Sequence, residues 1–383
     1  MRQTVFYLLL ACTLALAAEI GAEDPRGSSA ALMSDAFQVA EAWRQAEGAK
    51  VYANMTDEDW DNATRWKHYA TPDAPERTCA QPLPQQLVGD ILGLSASLAR
   101  LPMALTNASR TMYLALQAFH TTGLEGNTLT LQETVLTVQG SPLLDPGAQG
   151  VPATTLSSEE ALNAALLWHG LRLADLPKEG HRPLPLGSLT LPGLIGMNSA
   201  ITRGTGTPTG LRRRHVAIGH KLTMLPMPDE VPVLMREFLA WLTSSVAAPA
   251  AQPEPAQLQA ALALACNAHT RFVFIHPFAD GNGRLARTLS ALVLQQASLP
   301  APMIPRQHRS EYMDAVSAAT IEKNYAPLAL LHAQAVRRSL SCLAELLWGQ
   351  EAGSSAAGEP EEKAMAERGG GCQAPHEASV AMA

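Results

Sequence analysis

The sequence predicts an all-α fold, a bundle of helices around one extended core. The 383 residues are 47% hydrophobic but only 5% aromatic, and much of the apolar content is alanine and leucine, which favours packed helices over a sandwich or a barrel. Apolar residues also recur at helical spacing through most of the chain after about residue 87. This length is enough for one large or two modest domains with a buried core.

The charge distribution argues against a nucleic-acid polymer as a partner. The formal net charge is −7, and lysine and arginine are scattered except for the run Arg212, Arg213 and Arg214. A chain without a broad basic surface does not attract the phosphate backbone of DNA or RNA. The arginine run is equally compatible with a solvated loop.

Residues 1–18 are predicted to be a secretory signal peptide or a short signal anchor. Arg2 precedes an apolar run from Val5 to Ala18, which is short for a membrane span of about 20 residues. Small residues at the end of the run resemble a signal-peptidase site. A buried amino-terminal helix is the alternative. Both membrane-related interpretations deliver the rest of the chain to the lumenal side.

The cysteines give no sign of a structural metal. Beyond Cys12 there are four, with no CxxC spacing and no histidine at a zinc-ligand interval: Cys79, Cys266, Cys342 and Cys372. One disulfide is compatible with this set, and its pairing stays open. Glycosylation sequons at Asn54, Asn62 and Asn107 give mild support to the secretory interpretation.

Composition divides the chain after the signal into three parts. Residues 19–95 are polar and interrupted by prolines, which indicates a helical segment followed by a linker. Residues 96–345 are predicted to be the folded domain. Residues 346–383 are predicted to be a disordered tail, because from about residue 351 glycine, alanine and glutamate dominate without any aromatic residue.

Periodicity and capping signals predict the elements in chain order. The expected helices cover about 87–101, 112–119, 156–172, 228–243 and 254–274, followed by three more after residue 283. Ser158 is the predicted N-cap of the third. The helix at 254–274 is apolar almost all round and should be the central core helix. The glycines at 204–210 indicate a connecting loop, since no Gly-Lys-Ser/Thr follows them.

The stretch IHPFADGNGRLAR, residues 275–287, directly follows the predicted core helix. Gly281 or Asn282 should cap the next helix, whose unpaired N–H groups then face the preceding turn and attract an anion. Glycines allow a ligand to approach the main chain closely. Arg284 and Arg287 lie three residues apart on one helical face, where they can hold further phosphate oxygens.

Two other side chains complete a site for a nucleoside triphosphate. Asp280 offers an oxygen ligand to Mg²⁺, and His276 is placed to take a proton from an incoming hydroxyl. The alternative is a plain helix start in which Asp280 caps, Phe278 packs and both arginines pair with surface acids. We favour the site, because a structural turn needs neither a histidine nor two arginines on one face.

These residues resemble the full signature of Fic-domain proteins, HPFx(D/E)GNGRxxR, at every fixed position from His276 to Arg287. The resemblance implies a Fic-fold helical bundle with a small β-hairpin flap, and transfer of AMP from ATP to a Ser, Thr or Tyr hydroxyl of a target protein. It implies these roles: His276 as general base; Asp280 as ligand of Mg²⁺ or Mn²⁺; Gly281, Asn282 and Gly283 at the phosphates; Arg284 at the leaving pyrophosphate; Arg287 at the γ-phosphate; and Phe278 as the anchor of the loop.

A second stretch, TTGLEGN from Thr121 to Asn127, resembles the inhibitory motif of the same family. The matched residues are Thr121, Glu125 and Gly126. A glutamate at the end of a helix docked on the active site would pair with Arg287 and deny it to the γ-phosphate. By itself, Glu125 is more simply explained as a solvated acid near a helix end.

Within the family, the chain is most similar to the endoplasmic-reticulum adenylyltransferases of animals. The similarity implies a location in the endoplasmic-reticulum lumen, or membrane anchoring that faces the lumen, and a target such as a lumenal chaperone of the BiP type. It also implies that Glu125 supports the reverse reaction, which removes AMP, and it is compatible with a homodimer. Two departures stand out. No tetratricopeptide repeats are visible before residue 100, and Thr320 stands where those relatives carry an asparagine.

The segment 212–224 matches the place of the family's flap. Val216 and Ile218 alternate with polar residues as in an edge hairpin, and a flap can add a target segment as a strand beside the site. Two alternatives to AMP transfer stay open. One is a Fic-fold transferase that moves UMP, phosphate or phosphocholine, and the other is a non-catalytic module that senses nucleotides.

Overall fold

A computed structural model describes residues 78–101, 105–144, 148, 155–175, 184–214, 216, 225–245 and 255–355. The predicted signal segment, the sequons at Asn54 and Asn62, and Cys372 lie outside these residues. So does most of the predicted tail.

The described residues are mostly helical, as predicted, and contain no β-strand. The α-helices are α1 (Gln85–Arg100), α2 (Asn107–Gly123), α3 (Leu131–Gln139), α4 (Leu156–Gly170), α5 (Leu191–Ile201), α6 (Val231–Ser244), α7 (Pro255–Ile275), α8 (Asn282–Gln296), α9 (Arg309–Ser317) and α10 (Ala326–Ser355). Short 3-10 turns occur at Leu186–Ser188 and Arg306–His308, and a π-helical turn at Ala318–Glu322 joins α9 to α10.

Hydroxyl residues set the starts of several helices, because a side-chain oxygen satisfies an otherwise unpaired N–H group. The Thr106 hydroxyl accepts from the Ser109 N–H at the start of α2. Thr130 forms a capping box with Glu133 at the start of α3. The predicted cap of α4 is wrong by one turn: Thr155 is the N-cap, and Ser158 is its partner in the capping box.

Helix α7 lies at the centre of the core, which confirms the prediction from its apolar circumference. It packs against α1, α6, α8 and α10, and Phe272, Ile275 and Cys266 are fully buried. Its length and hydropathy would suit a membrane span, but 72% of its most apolar window is buried inside the bundle. A central helix of a soluble core has the same composition.

Both predicted boundaries of the folded domain differ from the observed helices. Helix α1 crosses residue 95 and packs against α10 and α7, since Val88, Ile91 and Leu98 need that core to bury their side chains. A disulfide between Cys79 and Cys266 ties the segment before α1 to the core helix. At the other end, α10 continues past residue 345 to Ser355.

The flap segment is only partly described. Val216 is half-buried without regular secondary structure, and Ile218 lies outside the described residues. The hairpin flap therefore stays a prediction.

Candidate active site

His276 lies at the carboxyl end of α7 with its backbone turned into the left-handed region, at φ +49°. Its N–H donates to the Phe272 carbonyl at 2.9 Å, and Nδ1 lies 3.2 Å from the Val273 carbonyl oxygen. A carbonyl can only accept, so Nδ1 carries the hydrogen and Nε2 keeps its lone pair. The ring is half-buried, and burial lowers the pKa of His276 to about 4. The imidazole is thus neutral at pH 7, as a general base must be.

Asn282 closes the loop that joins α7 to α8. Its Oδ1 accepts from the Phe278 N–H at 3.0 Å, and its Nδ2 donates to the Phe278 carbonyl at 2.9 Å. Phe278 itself is fully buried, with its ring 6.2 Å from that of Phe272. The Asn282 side chain therefore shapes the loop, and its backbone N–H is the group left for a phosphate.

Gly281 forms the last step of this loop and meets the requirement for a glycine. Its φ is +84°, and a Cβ at this position would lie 2.7 Å from Asn198 Nδ2 and 3.0 Å from Thr202 Cγ2. The Asn198 amide donates to the Asp280 carbonyl at 2.8 Å, so α5 packs against the loop and holds its backbone. Only a residue without a side chain accommodates both the left-handed backbone and this contact.

Arg284 is buried in the first turn of α8, next to the loop. Its Nη2 lies 3.0 Å from Asp280 Oδ2, and its Nη1 lies 3.3 Å from Glu160 Oε1 on α4. Its Nε is buried and has no hydrogen-bond partner within the described part of the chain. An unpaired cationic donor beside a helix start favours the arrival of an anion.

Arg287, one turn further along α8, is almost fully buried and makes four side-chain hydrogen bonds. Nε donates to Thr121 Oγ1 at 2.8 Å, and Nη2 donates to the Thr121 carbonyl at 2.8 Å and to Glu125 Oε1 at 2.6 Å. Nη1 donates to the Tyr312 hydroxyl at 2.8 Å. Burial opposes the charge, but Tyr312 and Glu125 outweigh it and raise the pKa of Arg287.

The predicted ion pair between Glu125 and Arg287 is present in the structure. Glu125 follows the end of α2, and Gly126 continues the turn at φ +99°. A methyl group placed on Gly283 would collide with the Glu125 carboxylate, so that carboxylate lies against the start of α8. It occupies the place to which the helix dipole attracts an anion.

The turn that carries Glu125 is itself tied down on two sides. Asn127 donates to the Ser157 carbonyl at 2.9 Å and to Glu160 Oε2 at 3.1 Å. Arg306 and Arg309 donate to the carbonyls of Leu129 and Leu124. The position of the turn that carries Glu125 is thus fixed by its contacts with α4, α9 and the 3-10 turn before α9.

The donor set fits Mg²⁺ bound together with phosphates. The Asp280 carboxylate is 55% exposed beside the loop, and no group of three or more histidine, cysteine or acidic residues could hold a metal among the described residues. Mg²⁺ usually keeps several waters and uses one or two carboxylates plus substrate phosphates. The single exposed carboxylate of Asp280, next to groups that can bind phosphate, agrees with this mode of Mg²⁺ coordination.

Sequence reasoning missed several residues that hold the site. Arg212 is buried rather than solvated: Nε donates to the His276 carbonyl at 2.7 Å, and Nη2 donates to the Pro226 carbonyl at 2.6 Å. Burial lowers the pKa of Arg212 to about 10. Its only sequence signal was the arginine run. Asn198, Glu160 and Tyr312 gave no signal, because their partners at the site lie far away in the sequence.

Comparison with known proteins finds a family model and relatives that are similar to this part of the chain. Residues 188–294 match the model of the Fic/DOC family. The protein adenylyltransferase Fic of Aedes aegypti is 28% identical over 240 residues, which are 62% of this chain and 43% of that relative. The protein of the same name from Drosophila mojavensis is 30% identical over 213 residues, 55% of this chain and 37% of that relative. The chain thus spans less than half the length of these relatives.

A solved structure agrees at the level of the fold. The Fic domain containing signaling protein from Bacteroides thetaiotaomicron matches with a TM-score of 0.50 and 19% identity, over 69% of this chain and 98% of that one. The resemblance expected from the sequence is therefore confirmed. The loop and the start of α8 that hold His276, Asp280 and Arg287 lie within the residues that match the model of the Fic/DOC family.

Proposed function

We propose that this protein transfers AMP from ATP to a Ser, Thr or Tyr hydroxyl of a target protein. The proposal depends on one observation. His276 is neutral, its Nε2 keeps a lone pair, and it lies at the beginning of the loop that precedes α8, whose first turns contain the buried Arg284 and Arg287. Such a start binds the phosphates, and the imidazole faces the place where an acceptor arrives. The names of the relatives support AMP as the transferred group.

In this mechanism His276 Nε2 takes the proton of the target hydroxyl. The hydroxyl oxygen forms a bond to the α-phosphorus of ATP, and the bond from that phosphorus to the bridging oxygen breaks. Pyrophosphate leaves with the electron pair, held by Arg284, by Arg287 at its terminal phosphate, and by the N–H groups that begin α8. Mg²⁺, bound by Asp280 and phosphate oxygens, would supply positive charge against the developing negative charge.

Glu125 makes the protein autoinhibited in this proposal. The γ-phosphate of ATP needs the same Arg287 donor that Glu125 holds at 2.6 Å. Both anions also compete for the start of α8, where the Glu125 carboxylate lies beside Gly283. ATP can therefore bind productively only when the carboxylate withdraws.

The same carboxylate suits the reverse reaction, the removal of AMP from a modified protein. The Glu125 side chain is 32% exposed, so water can reach its second oxygen. A carboxylate held beside the phosphate site can orient such a water for attack on the phosphorus. Both directions would then share one site.

We further propose that the protein works in the secretory pathway, on a lumenal protein target such as a chaperone. The disulfide between Cys79 and Cys266 supports an oxidising compartment, because such bonds persist outside the cytosol. Detection of the Cys79–Cys266 peptide pair in non-reduced protein from the lumenal fraction tests this. Recovery of both thiols in reduced form would contradict it.

The central test replaces His276 by alanine in a chain that also carries Glu125→Gly, so that inhibition does not mask the result. Incubation with Mg²⁺, ATP labelled at the α-phosphate and lumenal proteins should show transfer reduced by about 10² to 10⁴ fold, the usual contribution of a general base. ATP binding should persist. His308→Ala, which changes a histidine outside the site that pairs with Glu311, is the matched control.

The intact mass of the labelled target separates this proposal from its rivals. A gain of one AMP group supports it, whereas UMP, phosphate or phosphocholine would identify another donor. ATP binding without any transfer, even in Glu125→Gly, would favour a nucleotide-sensing module. Loss of ATP binding in His276→Ala would mean that the histidine is structural.

A further inference from the structure

From Arg287 Nη1, the terminal nitrogen that does not bond Glu125, a chain of hydrogen bonds leads into the core. The Arg287 guanidinium donates to the Tyr312 hydroxyl at 2.8 Å, and that hydroxyl lies 2.9 Å from His269 Nε2. All three side chains are buried. The guanidinium carbon also lies 5.3 Å from the centre of the Tyr312 ring, within the range of a cation–π contact.

The direction of this chain follows from its chemistry. Arginine only donates, so the Tyr312 oxygen accepts from Arg287. We assign the Tyr312 hydrogen to His269 Nε2, because this gives the buried hydroxyl hydrogen an acceptor, whereas His269 Nδ1 has no hydrogen-bond partner among the described residues. His269 is therefore neutral, with its hydrogen on Nδ1. Burial, reinforced by His332 and Arg287, lowers the pKa of His269 well below its usual value, which keeps the ring neutral. The hydroxyl thereby presents its lone pairs to the guanidinium.

Tyr312 differs from the other partners of Arg287 in where it comes from. Three of the four hydrogen bonds of the guanidinium go to Thr121 and Glu125, which belong to α2 and the turn that follows it. The fourth goes to Tyr312 on α9, and His269 behind it lies on α7. When Glu125 withdraws, the α7–α9 side still holds Arg287.

We propose that Tyr312, held by His269, is a positioning residue that keeps Arg287 directed at the terminal phosphate of a nucleoside triphosphate after Glu125 has withdrawn. The inference rests on the proposed function, because it takes ATP as the donor and Arg287 as the group that meets its γ-phosphate. Without the Tyr312 oxygen, a buried guanidinium donor loses its acceptor and turns toward another one.

The test compares nucleotides that differ in the terminal phosphate. In a chain that carries Glu125→Gly, Tyr312→Phe should raise the dissociation constant for ATP about tenfold, the usual effect of losing a hydrogen bond to a charged group. The dissociation constant for AMP should stay unchanged, because AMP has no phosphate that reaches Arg287. The matched control is Tyr113→Phe, since Tyr113 is also fully buried but its hydroxyl accepts from Gln117.

The second element of the chain has its own pair of variants. His269→Leu removes the acceptor for the Tyr312 hydroxyl and should reproduce the loss of ATP affinity. His269→Gln keeps an acceptor oxygen and should restore part of it. Combined with Tyr312→Phe, His269→Leu should add little further loss, since both act on one chain.

Kinetics give a further readout. With a labelled target, Tyr312→Phe should raise the KM for ATP and change kcat little. Equal weakening of ATP and AMP binding, or ATP affinity as high as in Tyr113→Phe, would overturn the inference. If the Glu125→Gly chain transfers nothing but Tyr312→Phe still weakens ATP selectively, the proposed function fails and the positioning role stands.

Discussion

Replacing Glu125 by glycine removes the carboxylate that pairs with Arg287 at 2.6 Å and lies at the start of α8. A hydrogen bond between charged groups contributes about 1.5–3 kcal/mol, and a carboxylate at a helix start contributes up to about 1 kcal/mol. Since 32% of the Glu125 side chain is exposed, solvent screens part of this. We take the state in which Glu125 pairs with Arg287 to be about 2 kcal/mol more stable than the state in which Arg287 is open to ATP. This free-energy difference corresponds to roughly a 30-fold preference for the paired state.

If ATP binds only the state in which Arg287 is open, its apparent dissociation constant rises by the same factor. Glu125→Gly should therefore lower the dissociation constant for ATP about 30-fold, measured by calorimetry with Mg²⁺ present, and should raise AMP transfer at limiting ATP. Glu125→Gln keeps an acceptor oxygen without the charge and should give an intermediate value. Glu311→Gln is the control, because its exposed carboxylate pairs with His308 instead.

The same variant separates the two directions of the reaction. Glu125→Gly should lose the removal of AMP from a modified target while it gains transfer, because the water loses the carboxylate that orients it. An ATP affinity no higher in Glu125→Gly than in the wild type would refute competition at Arg287. Unchanged removal of AMP would refute the role of Glu125 in the reverse reaction.

Two further predictions concern stability. Gly281→Ala should lower the free energy of unfolding by about 1 kcal/mol more than Gly206→Ala in a denaturant titration, since both glycines have positive φ but only Gly281 would also meet Asn198; equal losses would mean that the contact has no cost. Stability should also fall as pH drops from about 6.5 toward 4, because burial lowers the pKa of His120, His276 and His332 to about 4 each. In that window the unfolded chain binds more protons, and each histidine contributes about 1.4 kcal/mol per pH unit. A thermal or denaturant midpoint that is flat between pH 6.5 and 5 would show that these histidines are protonated in the folded state.

How much the sequence could predict depended on the range of the interaction. The clustering of the polar groups at residues 280–287 was predictable, because a turn and the first two turns of one helix contain all of them. The cap of α4 was missed because Thr155 and Ser158 are both hydroxyl residues that can cap a helix, and the residue at N3 from Thr155 is Ser158 rather than the glutamate or glutamine of the usual capping box. The central position of α7 was clear because its apolar side chains lie on all faces of the helix, and such a helix must be buried on all sides.

The ion pair of Glu125 with Arg287 was only a hypothesis until the helices were packed, because the two residues are 162 positions apart. The buried role of Arg212 was not predicted at all. Its partners are the carbonyls of His276 and Pro226. Every residue has a backbone carbonyl, so the sequence does not indicate which carbonyls an arginine will bond.

By itself, the sequence determined which chemical groups stand together on one loop and helix start: a histidine, an aspartate, two glycines, an asparagine and two arginines. It could do so because backbone geometry fixes neighbours within a few residues. Only the tertiary structure decided that one terminal nitrogen of Arg287 bonds Glu125 and the other bonds Tyr312, which contacts His269. Those partners come from α7, α9 and the end of α2, and packing of the whole core brings them within hydrogen-bond distance.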